Sequence, residues 1–345
     1  MVRAFSKYIA TLLVGACLGA PAMADDVADF YKGKVITVVI SSSAGGGYDT
    51  LARTIARHLG SHIPGNPTLI VQNMPGAGGI VATNYLYNIA AKDGTVIGGV
   101  QNNTPFEPLY GTKEAQYDPT KFSWLGSPSV ETGMLTVWKT SPAMSIEDAR
   151  TQKVTVGVTG ANSTPSFYAR LLNTALGTKL DIVNGYKGQN EVFLAMERGE
   201  VQGAPSLFYS SLVSTRPNWL PDQSVRVLVQ YGTEKEPKLG NVPFANDLVS
   251  DPKTLELMKV AFAALAFGRP YLTPPNVPSD RVAALQKGFE EMLKDPSFVS
   301  DAEGLGLQVD SPRNGQQLAD TLKEAYSASP EIVTEIRQLI AGSAQ

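Results

Sequence analysis

Two kinds of period alternate along this 345-residue chain, and that alternation restricts its fold more than any single residue does. "VITVVI" at 35–40 is an unbroken β-branched run, the pattern of a strand buried on both faces. Leu51, Ile55 and Leu59 then recur at i, i+4 and i+8, which lays one apolar stripe along a helix and turns Arg53 and Arg57 away from it. Residues 69–71 predict a second strand, 81–89 a second helix and 96–100 a third strand. The rhythm restarts with a strand at 154–158, a helix pairing Phe167 with Leu171 and Tyr168 with Leu172, a helix carrying Val192, Ala195 and Met196, and a strand at 225–229. Repeated strand–helix–strand units predict α/β architecture with parallel strands, here in two lobes of similar design.

Three helical stripes close the chain: Val282, Leu285, Phe289 and Met292; Leu318, Leu322 and Ala325; Ile332, Ile336 and Leu339. The proline-rich "RPYLTPPNVP" separates them from what precedes, and "AFAALAFG" at 261–268 reads as a strand returning to the first lobe. The first lobe is then discontinuous, 25–122 plus 240–345, with the second, 123–239, inserted into it.

In open α/β sheets ligands bind beyond the carboxyl ends of the strands, where loops enter helix N-termini. "SSSAGGGYDT" (41–50) lies at such a point. Its glycines let backbone N–H groups converge, and the helix start adds unpaired donors and a positive dipole end, so an anion is favoured there without any arginine. Asp49 is expected to act as the N-cap. A tight turn would explain the glycines equally well, but "NMPGAGG" (73–79) and "TGANSTPS" (159–166) occupy equivalent positions. The latter adds Asn162, Ser163 and Thr164 as side-chain donors and Pro165 for a first helical turn. Three anion-competent loops, two in one lobe and one in the other, imply a cleft between lobes.

Composition narrows the chemistry. The N-terminus has Arg3 and Lys7, an apolar stretch over roughly 8–20 and then Ala22-Met23-Ala24, which reads as an export signal (1–24) cleaved after Ala24. "VGAC" leaves lipid anchoring at Cys17 as the alternative. Cys17 is the one cysteine, so cleavage after Ala24 removes every thiol and with it disulfide, thiol-nucleophile and cysteine–metal chemistry. Without Arg3 and Lys7 the chain has 27 basic and 32 acidic residues, a net charge of −5, which argues against nucleic-acid binding. His58 and His62 are spaced by four, but "HLGSH" lacks the glutamate of a zinc-protease motif; no metal site and no catalytic residues are expected, and no cofactor. Phe167-Tyr168 and Phe208-Tyr209 read as core and Lys187 as a surface lysine, whereas Tyr48 sits in a polar loop with no apolar periodicity to claim it. Tyr48 is therefore expected to face the cleft and favour a ligand with a flat or apolar body.

"AGGGYDTLARTIARHLG", "NMPGAGGIVATNYL", "AKDGTVIG", "GANSTPS" and "YKGQ", in this order, resemble the Bug (TctC-type) family of substrate-binding proteins from tripartite tricarboxylate transporters. The resemblance implies a two-lobed periplasmic binding protein of type II, a monomer that closes on a small carboxylate and delivers it to a membrane permease. It implies that backbone amides and hydroxyls of the glycine loops hold the carboxylate: Ser43, Ala44, Gly45, Gly46, Gly47, Tyr48 and Asp49; Gly76, Ala77, Gly78 and Asn102; and, across the cleft, Gly160, Asn162, Ser163, Thr164 and Ser206. Asn162→Ala with Ser163→Ala is expected to weaken binding with little loss of stability. Ser41-Ser42 departs from the family's usual Pro-Phe, Tyr48 replaces what is often a small residue, and "GAPSLFYSS" (203–211) differs as well, so a dicarboxylate preference does not carry over. An exported α/β hydrolase and a ligand sensor feeding a membrane signalling partner are the competing readings.

Overall fold

A computed structural model describes residues 22–161 and 163–342; the expected export signal up to residue 21, Cys17 and Asn162 lie outside the described residues. Eleven strands form two sheets. β1 (Val35–Ile40), β2 (Thr68–Asn73), β3 (Val96–Gly99) and β4 (Ser123–Ser127) come first, β5 (Gly133–Trp138), β6 (Val154–Gly157), β7 (Leu180–Val183), β8 (Gly203–Phe208) and β9 (Val225–Tyr231) follow, and β10 (Tyr271–Thr273) and β11 (Arg313–Asn314) close the series. The first sheet has the order β11-β4-β10-β3-β1-β2 and the second β7-β6-β8-β5-β9.

The parallel strands expected from the βαβ rhythm are present: β1 pairs parallel with β2 and β3, and β6 with β7 and β8. Both sheets are nevertheless mixed, because β10 runs antiparallel to β3 and β4, and β5 antiparallel to β8 and β9. β4 hydrogen-bonds within the first sheet, so residues 123–127, expected in the second lobe, belong by pairing to the first. The chain crosses between sheets at 128–132 and returns at 232–270.

The return holds the main correction to the sequence reading. "AFAALAFG" is not a strand; it is the last half of a helix, Pro252–Phe267, started by Asp251, whose side chain accepts from the Thr254 amide, with Pro252 in the first turn. Leu257, Met258 and every residue from Val260 to Phe267 are buried, so the segment has no polar face to reveal its helical period. Its alanines favour helix intrinsically. The true returning strand is β10, three residues long and hidden inside the proline-rich stretch. Along the helix, Phe262 stacks on Tyr231 of β9 at 5.0 Å, and Tyr231 meets Tyr168 at 5.1 Å, so aromatic packing joins the two lobes through it. As expected, Phe167, Tyr168 and Tyr209 are core residues.

Where the two crossings touch, backbone meets backbone. The Glu131 amide donates to the Leu265 carbonyl at 2.8 Å, and the Arg269 amide to Ser127 Oγ at 3.0 Å, which itself donates to the Ser129 carbonyl. Gly268 stands between them at φ +49°, and a Cβ there would collide with the Ser129 carbonyl oxygen. Only glycine adopts this backbone, and no rotamer change relieves a clash with a main-chain atom. Gly268→Ala is expected to cost about 3 kcal/mol or more, read as a drop in chemical-denaturation midpoint; a midpoint unchanged from wild type would contradict the packing described.

Candidate ligand-binding site

The three loops picked out in the sequence all lie at strand carboxyl ends. The first leaves β1 and enters the helix Gly47–His58, with Gly46 as N-cap and no side-chain cap. Ser43 to Gly47 are exposed, and Gly45 has φ +83°. The amides of Gly47 and Tyr48 open the helix without intrahelical acceptors.

Asp49 is not the N-cap. It stands in the first turn with its carboxylate folded back and buried, taking the Gly45 amide at 2.8 Å, Arg53 Nε at 3.0 Å and Asn73 Nδ2 at 2.9 Å. Asn73 Nδ2 also reaches the Ser42 carbonyl, so one carboxylate ties the first loop to the end of β2. The Arg53 hydrogen bond leads the causes that hold the Asp49 carboxyl down at about 2, against the cost of burial. A carboxylate saturated in this way positions the loop and does not reach outward for a ligand.

Tyr48 is half-buried. Its hydroxyl donates to the Gly268 carbonyl at 3.1 Å and accepts from the Asn102 amide at 3.3 Å, while its ring packs beside the first lobe's core. Burial pushes the phenol up to about 12. Tyr48, expected to face the cleft, has a structural role: it joins the first loop, the end of β3 and the chain's return.

The second loop carries four successive residues with positive φ, Gly76 (+145°), Ala77 (+45°), Gly78 (+62°) and Gly79 (+101°), before the helix Ile80–Asn88. Ala77 is the notable member, since a side chain in that region costs energy that the surrounding turn must offset. Gly76, Ala77 and Gly78 are exposed. Between this loop and the first, Ser41 is 1 % exposed and its Oγ has no hydrogen-bond partner; Ser42 Oγ is likewise buried and unpartnered.

In the second lobe the loop after β6 enters the helix Thr164–Leu176 with Ser163 as a true N-cap: its Oγ accepts from the Ser166 amide and donates to the Gly160 carbonyl at 2.7 Å. Thr164 is exposed. A cavity of about 140 Å³ joins Thr164 to Ser206, Thr159 and Gln189 at the ends of β6 and β8. Another, of about 190 Å³, brings Ser163, Thr164 and Phe167 against Asn103, Glu107 and Tyr110 of the first sheet's loops. Residues of both lobes therefore line one space.

The histidines stand elsewhere. His58 lies at the far end of the helix that Gly47 begins, about 16 Å along its axis, with Nε2 3.0 Å from Asp301; His62 Nε2 is 3.1 Å from Asp295. Among the described residues no group of three or more His, Cys, Asp or Glu is placed to hold a metal ion, and no helix is long and apolar enough to cross a membrane. Sequence reasoning missed Arg269 and Glu131. Arg269 Nη1 donates to the Gly47 carbonyl at 2.9 Å from 222 positions away, a separation that no local pattern reveals. Glu131 is buried against Ser210, and burial pushes its carboxyl up.

Two substitutions test this local chemistry. The depressed Asp49 carboxyl stabilises the fold above the ordinary carboxylate range, and that contribution fades as pH falls from about 4 through about 2. Asp49→Asn should lose about 1–2 kcal/mol at pH 7, with the gap to wild type closing in thermal melts below pH 3. Because Ser163 caps a helix, Ser163→Ala should cost about 1 kcal/mol, contrary to the small loss expected from sequence; melting curves decide between the two.

The chain matches the family model described as "Tripartite tricarboxylate transporter family receptor" over residues 51–337. A Cupriavidus necator protein described as "UPF0065 protein in gbd 5'region" is 25 % identical over 323 residues, covering 90 % of this chain and 91 % of that one. An Agrobacterium vitis UPF0065 protein from a ttuE-ttuC' intergenic region is 24 % identical, covering 87 % and 82 %. Among solved structures, a TctC solute-binding protein from Polaromonas, without ligand, shares the fold at TM-score 0.70 and 16 % identity, covering 90 % of this chain and 99 % of that one. MatC from Rhodopseudomonas palustris with bound malate does so at 0.61 and 21 %, covering 87 % and 99 %. An R. palustris protein solved with adipate does so at 0.59 and 19 %, covering 90 % and 97 %. With most of its length inside the family model and its two sheets matching the solved members, this chain belongs to the tripartite tricarboxylate transporter receptor family.

Proposed function

We propose that this protein is an exported, monomeric receptor that captures a small organic acid between its two lobes and hands it to the membrane permease of a tripartite transporter, without catalysing a reaction on it. The observation that carries this reading is a space lined from both lobes by polar residues that follow strand ends: Asn103 and Glu107 on one side, Ser163 and Thr164 on the other. A ligand touching both lobes stabilises the closed arrangement by its differential affinity for it. The expected export signal at 1–24 supports a periplasmic location, and family membership supports a permease as the partner. The hydrolase alternative loses ground because His58 and His62 pair with Asp301 and Asp295 at the end of the helix away from the glycine loops.

Malate and adipate, seen in two proteins of the same fold, define the start of a ligand panel. Mono-, di-, tri- and aromatic carboxylates are screened by thermal shift against the purified protein. An acid at 100 times its dissociation constant should add about 2.7 kcal/mol of stability, and X-ray scattering with that acid should show a smaller radius of gyration. Stabilisation by sugars or amines alone, with none by any acid, contradicts the reading.

A further inference from the structure

Beside the first glycine loop stands a cation that forms no ion pair among the described residues. Arg269 follows Gly268 at the chain's return and leans over the first glycine loop, its guanidinium carbon 5.4 Å from the centre of the Tyr48 ring. Nη1 donates to the Gly47 carbonyl. Among the described residues Nε and Nη2 have no hydrogen-bond partner and no carboxylate lies within ion-pair distance of the guanidinium. The residue is only partly exposed, so water screens it incompletely.

Its setting makes this arrangement costly in isolation. The helix that begins at Gly47 directs its positive dipole end at the same place, and a cation beside a helix N-terminus is repelled. Neither nearby carboxylate forms an ion pair with it, although Glu131 interacts with its charge from a distance. Asp49 is saturated by Arg53, Asn73 and Gly45, and Glu131 is buried with Ser210 as its hydrogen-bond partner. Ser41 Oγ, buried and unpartnered at the end of β1, adds a further unused polar group beside the second glycine turn. An anion placed against Arg269 would offset both the cation and the dipole.

Resting on the function proposed above, we infer that Arg269 is a direct ligand contact that receives a carboxylate of the bound acid on its Nε–Nη2 edge. That edge offers two parallel donors on a planar, permanently charged group, the spacing that a carboxylate accepts in a bidentate manner. The Tyr48 ring and the Gly47 carbonyl hold the guanidinium plane, so Tyr48 serves the ligand by orienting Arg269. Lysine in its place keeps the charge but cannot supply the two-donor edge.

Calorimetric titration and thermal shift on the full protein test this with succinate, malate and adipate, each beside its diamide. In wild type the acid should bind more tightly than the diamide. Arg269→Met should reduce that acid-over-diamide preference by about tenfold or more, and Arg269→Lys by a smaller factor. Damage to the fold alone would weaken both ligands in proportion and leave the preference intact. A preference unchanged in Arg269→Met overturns the inference while leaving the receptor reading in place. Failure of wild type to bind any acid of the wider panel overturns the receptor reading itself, and this inference with it.

Discussion

One buried carboxylate organises the glycine-loop end of the first lobe. Asp49 gathers the Gly45 amide, the Arg53 guanidinium and the Asn73 amide, and Asn73 extends the link to the Ser42 carbonyl. A glycine loop left to itself samples many conformations, at an entropic cost whenever it must present its amides in one arrangement. Tying the loop from inside, through the buried Asp49 carboxylate, meets that cost in the folded state. The exposed amides of Gly46 and Gly47 are then free for other partners. The Asp49 charge is thereby turned to the inner side of the loop and away from its exposed glycines.

The same region explains how two sheets act as one receptor. The first loop reaches the chain's return through Tyr48 and Gly268, and the return meets the outward crossing through Ser127, Ser129 and Glu131. Ligand loop and interlobe crossing are therefore mechanically adjacent. The helix Pro252–Phe267, buried along its last half, gives that junction a stiff apolar backing.

Much of this was legible in the residues. Strands 35–40 and 154–158, the helix stripe of Leu51 and Ile55, and the three glycine loops follow from local periodicity and turn chemistry, which depend on near neighbours in the chain. The helix within 252–267 was misread because burial on every side erases the amphipathic period. β10 was hidden because three residues among prolines form a strand only when β3 and β4 flank them. Asp49 reads as a cap because the residue type and the helix start are local, whereas its partner Asn73 lies 24 positions away.

The sequence by itself determined the α/β class, the places where backbone would be bare at strand ends, and the family, since each is written in spacing over ten or twenty residues. Only the tertiary structure decided which groups meet there. Arg269 and Gly47 are 222 positions apart, and Tyr48 and Gly268 are 220. Contacts of that range arise when the chain leaves one sheet, builds another and returns. The charge balance around the first glycine loop is therefore a property of the closed circuit of the fold, not of any segment in it.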